Sequence, residues 1–215
     1  MTADATTAQW RSELEDWTLS WHELEATADP RSNAALAARR ERVAGELRER
    51  WTAAELGSHP VVLAMRRRFK AAGTDPARYR PSSEALLRRL LKGEELRPIH
   101  PLVDLNNQLS IELAVPCCVL REGSFSFPVT LRAGRAGEVL DAMRGPLDLA
   151  GKPLLEDAAG PFGTPITDGH RVKVLAETTR CWLVAYLPAE SVSAAEAAER
   201  LDEILAEAPV ARVGH

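Results

Sequence analysis

Reactive side chains are sparse in this chain, and the strongest candidates lie in two segments of its second half. Cys117 and Cys118 are adjacent, and a cysteine becomes a nucleophile when a nearby base activates its thiol. Because the pair opens a predicted strand, the two thiols point to opposite faces, and at most one faces any given cavity. His170 ends a glycine- and proline-rich loop over residues 160–170, where an imidazole can bind a ligand or carry a proton. A packed thiol and a surface histidine are the commoner alternatives.

A third polar group lies on a predicted helix over residues 100–116. Leucines recur there at three- and four-residue steps from Leu102 to Leu113, which gives one buried face. Asp104 and Asn107 lie one turn apart, although such side chains are poor in a helix interior because they compete for backbone hydrogen bonds. They are interpreted either as a hydrogen-bonding pair beneath a binding site or as ties between the helix and its neighbouring loops.

Several common site signatures are absent from the sequence. There is no glycine-rich phosphate loop, nucleophile elbow, His-Glu-x-x-His motif or Cys-x-x-Cys pair. Three cysteines in this spacing form neither a disulfide framework nor a zinc pattern, so we predict no metal, no cofactor and a reducing cytoplasm. No apolar run approaches the roughly 20 residues of a membrane span, and the first residues lack a signal-peptide pattern. We therefore expect a cytoplasmic protein without membrane contact.

The charge distribution is uneven along the chain. The net charge is -4, but residues 66–97 hold ten Lys and Arg against four Asp and Glu, which makes that segment +6. A basic block on an acidic chain can meet phosphate groups. The alternative is a pair of amphipathic helices whose solvated faces are rich in arginine.

The hydrophobic pattern predicts one α+β domain, with helices concentrated before residue 115 and strands after it. Residues 17–24 alternate between apolar and polar, as a strand does. The continuous apolar run over 181–187 is typical of a central strand buried on both faces. Ser193 and Glu196 form a capping box before the last helix. The remaining predicted elements are helices over residues 33–51, 59–72 and about 83–92, and a strand, turn and strand over 117–133.

Two longer motifs resemble a known family. Residues 78–116 resemble the B3/B4 domain of the beta subunit of bacterial phenylalanyl-tRNA synthetase, and resemble still more closely the free-standing proteins built on that domain alone. Residues 160–188, which begin Gly-Pro-Phe-Gly, carry a second match to the free-standing proteins. The matching positions of the first motif are Arg78, Pro81, Ser82, Ser83, Glu84 to Arg89, Pro101 to Asp104, Asn107 and Pro116.

The resemblance implies a three-layer α+β fold around an unusual β-sandwich, with residues 15–209 as a single B3/B4-like domain and residues 1–14 as an N-terminal extension. In the synthetase, this domain hydrolyses the ester of tRNA wrongly charged with tyrosine. The resemblance therefore implies an aminoacyl-tRNA deacylase, or trans-editing factor, that acts on mischarged tRNA. Such chemistry needs a closed pocket, donors on the ester carbonyl and a positioned water, and it can act without a covalent nucleophile.

The resemblance also implies a site between the strand that starts at Cys117 and the loop from Gly163 to Arg171. Cys118 stands where the synthetase has a pocket histidine, so tyrosine specificity is not carried over. The implied catalytic residues are His170, Cys118 and Thr178, with His170 favoured for orienting water. The implied substrate-binding residues are Asp168, Arg171, Thr167, Asn107 and Asp104, of which Asp104 and Asn107 are implied to brace the pocket wall from behind. The implied tRNA contacts are Arg66, Arg67, Arg68, Lys70, Arg78 and Arg80.

Two other functions remain open at this point. One is a non-catalytic B3/B4 module that binds tRNA or a small amino-acid-like ligand. The other is a small-molecule sensor that ignores RNA. The sequence does not give the amino acid, the tRNA or the oligomeric state.

Overall fold

The computed structural model describes residues 9–27, 30–143 and 145–213. The helices are α1 (Pro30–Arg50), α2 (Pro60–Ala71), α3 (Ser82–Leu91), α4 (Pro101–Leu113) and α5 (Ala194–Leu205), with short 3-10 helices at Glu55–Ser58 and His170–Val172. The strands are β1 (Trp10–Ser12), β2 (Trp17–Ala26), β3 (Cys117–Arg121), β4 (Val129–Ala133), β5 (Val139–Ala142), β6 (Gly145–Asp148), β7 (Pro153–Asp157), β8 (Gly160–Gly163), β9 (Arg180–Pro188) and β10 (Val210–Arg212).

Two four-stranded sheets form the centre of the fold. The central sheet has the order β10-β2-β9-β3 and is antiparallel throughout. The outer sheet has the order β1-β4-β7-β8, in which β1 pairs parallel with β4. Strands β5 and β6 form a separate hairpin. The continuous apolar run predicted to be a central strand is β9, which pairs with β2 on one side and β3 on the other.

The two faces of the central sheet bury different cores, which makes three layers. Helices α4 and α5 cover one face, where Cys117 and Leu183 pack with the apolar stripe of α4. The outer sheet covers the other face, where Cys118 and Tyr186 pack among aromatic and aliphatic side chains. The two cysteines thus point to opposite faces, as expected from strand geometry. The architecture confirms the predicted α+β class with helices mainly in the first half.

Local sequence signals fix several helix ends. Pro101 begins α4, and Nδ1 of His100 accepts a hydrogen bond from the Leu102 N–H at 3.3 Å. Ala114 ends that helix with φ 57°, in the left-handed region. The capping box predicted at Ser193 and Glu196 is present at α5. Among the described residues, no helix is long and apolar enough to cross a bilayer.

Two short strands lie outside the predicted domain bounds of residues 15 and 209. Strand β1 joins the edge of the outer sheet through β4, and β10 joins the edge of the central sheet through β2. Each strand has three residues, which is too short to show a period in the sequence. The sheets therefore extend beyond both bounds.

Candidate functional site

The structure brings together the two segments that were predicted to form a site. The Arg121 side chain at the end of β3 donates to the backbone oxygens of Arg171 and Lys173, at 3.2 and 3.3 Å. These partners lie about fifty residues further along the chain. The 3-10 helix at His170–Val172 therefore packs beside β3, and it also contacts β8.

Asp168 is the central ionisable group of this region. The residue is half-buried, and its Oδ1 atom is buried with no hydrogen-bond partner among the described residues. A Cβ atom on Gly163 would lie 3.3 Å from that Oδ1, so the glycine lets the carboxyl pack tightly against β8. Burial raises the pKa of Asp168 to about 7. A buried carboxyl that titrates near neutral pH is typical of a functional site.

Cys118 and Tyr186 lie on the central sheet beside Asp168. The Cys118 Sγ and Tyr186 Oη atoms are 3.9 Å apart, and both residues are almost fully buried. Burial raises the pKa of the Cys118 thiol well above its ordinary value, and the nearby Asp168 carboxyl raises it further. The thiol is therefore protonated at neutral pH, which argues against Cys118 as a nucleophile. Tyr186 was missed at the sequence level, because an apolar strand pattern does not show which side chain will face Asp168.

His170 and Thr178 do not form a catalytic pair with Cys118 in this structure. His170 is exposed at the start of the 3-10 helix. Thr178 is buried, and its Oγ1 accepts a hydrogen bond from the Leu175 N–H at 2.9 Å within a turn. The position of Thr178 therefore indicates a structural role.

A closed turn precedes Asp168. The Thr164 hydroxyl donates to the Thr167 carbonyl at 2.8 Å and accepts from the Thr167 N–H at 2.9 Å. In this turn, hydrogen bonds of the Thr164 side chain act where a helix or strand would have backbone hydrogen bonds. Thr167 therefore supports the conformation of the loop through its backbone.

Arg171 holds the loops around the site in place. Its guanidinium binds both oxygens of Asp157, at 3.0 and 2.9 Å, and also the Gly160 carbonyl at 3.0 Å. Burial alone would raise the pKa of Asp157, but the hydrogen bonds from Arg171 and the backbone outweigh it and lower the pKa. The carboxylate and the carbonyl that Arg171 binds both belong to the protein itself. The Arg171 guanidinium therefore serves to position these loops.

The structure does not bring Asp104 and Asn107 together with Cys118. Helix α4 covers the Cys117 face of the central sheet, so these residues lie behind the layer that carries Cys118. Both Asp104 carboxylate oxygens accept from the Ile99 N–H, at 3.1 and 3.2 Å. This arrangement agrees with the interpretation of Asp104 as a tie to a neighbouring loop. Asp104 also lines an open cavity of about 300 Å³.

Much of the basic block is neutralised inside the protein. Glu84 on α3 is fully buried and lies 2.7 Å from Arg66, 3.3 Å from Arg80 and 2.9 Å from Arg88. Arg68 pairs with Asp16 at 2.6 Å and with Glu190 at 2.8 Å. The segment charge of +6 therefore overstates the positive field that reaches solvent.

A smaller set of cations remains available to a partner. Among the described residues, Lys70 and Arg78 have no carboxylate within 4.0 Å. Arg67 is largely exposed and lies 3.6 Å from Glu190. A cavity of about 210 Å³, here called the basic cleft, is lined by Leu63, Arg66, Arg67, Lys70, Asp75, Pro76 and Ala77.

Comparisons with known proteins place the chain in a family. A search of the curated proteins finds no match. Among solved structures, the chain is similar to an N-terminal fragment of the phenylalanyl-tRNA synthetase beta-subunit from Pyrococcus horikoshii, with 12% identity and a TM-score of 0.46. The similarity covers 94% of this chain and 49% of that fragment, so this chain spans about half its length. The sequence pattern of the B3/4 domain matches residues 64–203, which is more than half of the chain. The protein therefore belongs to the B3/4 domain family.

Proposed function

We propose that this chain is an aminoacyl-tRNA deacylase that hydrolyses the ester of a mischarged tRNA, with Asp168 as the base. The observation that carries the proposal is the buried, unpartnered Oδ1 of Asp168, on a carboxyl whose pKa burial raises to about 7. A general base works best when its pKa lies near the operating pH. The unpartnered oxygen also has free capacity to accept a hydrogen bond.

The proposed reaction needs no covalent intermediate on the protein. The Asp168 carboxylate takes a proton from a water molecule, and the oxygen of that water forms a bond to the ester carbonyl carbon. The tetrahedral intermediate then collapses, the bond to the ribose oxygen breaks, and the proton passes to that oxygen. Burial raises the pKa of Tyr186 well above its ordinary value, so its hydroxyl remains a donor that can stabilise the developing oxyanion. The products are a free amino acid and uncharged tRNA.

Purified protein should release amino acid from at least one member of a panel of mischarged tRNAs faster than buffer does. The reason is that a positioned base contributes about 10²–10⁴-fold to such a step. The measurement is the loss of acid-precipitable labelled amino acid over time, with correctly charged tRNAs as controls. Failure to cleave any ester above the buffer rate would refute the proposed enzyme.

The basic cleft and its neighbours are the proposed contact with the tRNA backbone. We expect the double substitution Lys70→Glu and Arg78→Glu to weaken tRNA binding at least ten-fold at low salt, because both cations lack an internal carboxylate. The slope of log K against log salt should fall by about 2, or about one for each phosphate contact. Electrophoretic mobility shifts at several salt concentrations measure both quantities.

Arg89 provides the matched control for this prediction. It belongs to the same basic segment, but it pairs with Glu94 at 3.1 Å. Arg89→Glu should change tRNA affinity by less than two-fold. Arg89→Glu changes the net charge by two units and the double variant changes it by four. A loss of binding free energy in the control that is half of the loss in the double variant would therefore show that binding depends on total charge and not on the cleft.

A non-catalytic binding module is the second candidate. It is favoured by the protonated Cys118 thiol and by the use of Thr178 in a turn, because neither residue is then available for the catalytic role that the resemblance implied. The two cavities described above also lie away from Asp168. Saturable, salt-sensitive binding of aminoacyl-tRNA without ester cleavage would select this function. A lack of any salt-sensitive tRNA retention would instead favour a small-molecule sensor.

A further inference from the structure

Five aromatic residues form one contact cluster against the core between the two sheets, although aromatic residues make up only 5% of the chain. Trp21 lies on β2, Trp182 on β9, Phe162 on β8, and Phe125 and Phe127 on the loop between β3 and β4. Ring centroids are 5.3 Å apart for Trp21 and Phe127, 5.2 Å for Phe127 and Trp182, and 5.2 Å for the stacked pair Phe125 and Phe162. These five residues are called the aromatic cluster.

The aromatic cluster is only partly covered by the protein. Trp21 and Phe162 are buried, but Phe125, Phe127 and Trp182 are half-buried. Large aromatic rings at a surface supply stacking area at a low cost in side-chain entropy. The outer rings of the cluster therefore offer a surface to a planar ligand.

Two buried donors near the aromatic cluster have no acceptor. The indole Nε1 of Trp21 has no hydrogen-bond partner among the described residues, and neither has Nε of Arg180, although the other two guanidinium nitrogens of Arg180 pair with Glu23 and Glu122 at 3.3 and 3.2 Å. Arg180 lies two positions before Trp182 on the same strand, and therefore on the same face. A buried polar group without a partner is rare and costly in a folded protein. The two donors favour a ligand that carries acceptor atoms over a purely apolar one.

The loop that carries Phe125 and Phe127 is held rigidly. Asp157 accepts a hydrogen bond from the Ser126 N–H at 3.0 Å, and its side chain is almost fully buried. Arg171 binds the same carboxylate and also donates to the Ser124 carbonyl at 3.3 Å. The two phenylalanines are therefore positioned before any ligand arrives, which lowers the entropy cost of binding.

We infer that the aromatic cluster stacks an unpaired nucleobase at the single-stranded 3′ end of tRNA, an inference that rests on the proposed function. A nucleobase has a π-face that matches the half-buried outer rings, and ring-edge acceptors that a purely apolar ligand lacks. The cluster also adjoins the proposed catalytic group, because Phe162 is followed directly by Gly163, which contacts Asp168. A base bound there would place the adjoining aminoacyl ester near Asp168.

Binding of the ribotetranucleotide ACCA tests the inference without aminoacylation. The comparison ligand is the same tetranucleotide with abasic riboses, which keeps the phosphates and removes the π-faces. The native chain should bind ACCA at least ten-fold more tightly than the abasic ligand, because each stacked base contributes about 1–3 kcal/mol, or roughly 5- to 150-fold. Trp182→Leu should remove at least ten-fold of ACCA affinity and leave abasic binding unchanged.

Trp51→Leu is the matched control, since the Trp51 ring contacts His59 at 5.1 Å and lies outside the aromatic cluster. It should change ACCA affinity by less than two-fold. If Trp182→Leu fails to fold, quenching of native tryptophan fluorescence by ACCA but not by the abasic ligand decides the question. Equal binding of the two ligands by the native chain overturns the inference.

Deacylation of intact mischarged tRNA, run in parallel, separates this inference from the proposed function. A loss of ACCA binding in Trp182→Leu, with no deacylation by the native chain, would support base stacking and reject the enzyme. Deacylation that persists at the native rate and KM in a folded Trp182→Leu variant would support the enzyme and reject base stacking.

Discussion

Asp168→Asn is expected to raise the free energy of unfolding at pH 8 while it slows deacylation. Burial raises the pKa of Asp168 from its ordinary value of 3.8 to about 7, so the folded state holds the proton more tightly than the unfolded chain. The stabilising contribution of the protonated form is thus fully present below about pH 4 and is lost as the pH rises to about 7. Since each pKa unit corresponds to about 1.4 kcal/mol, the charged carboxylate costs roughly 2–4 kcal/mol at pH 8.

Urea unfolding of both proteins between pH 4.5 and pH 8 measures this effect. The native chain should lose stability with rising pH over this range, and the asparagine variant should show a flatter profile. The ester hydrolysis rate should fall about 10²–10⁴-fold in the same variant, because an amide cannot act as the base. Asp202→Asn, at an exposed residue that pairs with Arg212 at 2.7 Å, is the control and should change neither quantity markedly. If the free energy of unfolding of Asp168→Asn depends on pH as steeply as that of the native chain, the Asp168 carboxylate is solvated in the folded state.

Arg39→Ala is expected to cost about 3 kcal/mol of stability through a buried ion pair far from the site. Arg39 on α1 binds both oxygens of Glu112 on α4, at 2.7 and 2.9 Å, and each side chain is at most 6% exposed. It also pairs with Glu207 at 2.7 Å, after the end of α5. Removal of the arginine leaves the buried Glu112 charge with only Gln108 and the half-exposed Arg200, so the remaining partners compensate in part.

Arg42→Ala on the same helix is the matched control. Arg42 pairs with Glu46 at 3.2 Å, but both side chains are more than half exposed. An exposed pair at this spacing contributes about 0.3–0.5 kcal/mol. The two variants should therefore differ by more than 2 kcal/mol in urea unfolding. Similar losses would mean that the buried pair is no more important for stability than the surface pair.

The elements of this fold are largely visible in its sequence, because side-chain periodicity reports which face each element buries. The predicted strand over 17–24 is part of β2, the helix over 59–72 contains α2, and the apolar run over 181–187 lies in β9. The motifs in residues 78–116 and 160–188 also identified the family correctly, since those residues fall largely within the matched range.

The charge pattern was a weaker guide than the hydrophobic pattern. Glu84 was noted only as one of four acids in the basic block, yet it is the buried partner of three arginines. Arg68 finds its acids at Asp16 and Glu190, which lie in distant parts of the chain. A count of charges along the sequence cannot show which of them will neutralise each other after folding.

The sequence by itself determined most of the elements, the two cysteine faces and the family, because each depends on local period or on a contiguous motif. It missed the three-residue strands β1 and β10, and it predicted a loop at Gly160–Gly163, which is β8. The motif resemblance already implied that Cys118 and the loop that carries Asp168 share a site, and the tertiary structure decided which side chains face each other there. It added Tyr186 beside Asp168 and Cys118, and it left His170 exposed. The pKa and the hydrogen-bond capacity of a side chain depend on burial and on neighbours about fifty residues away, and those are set when the two sheets and the helices pack.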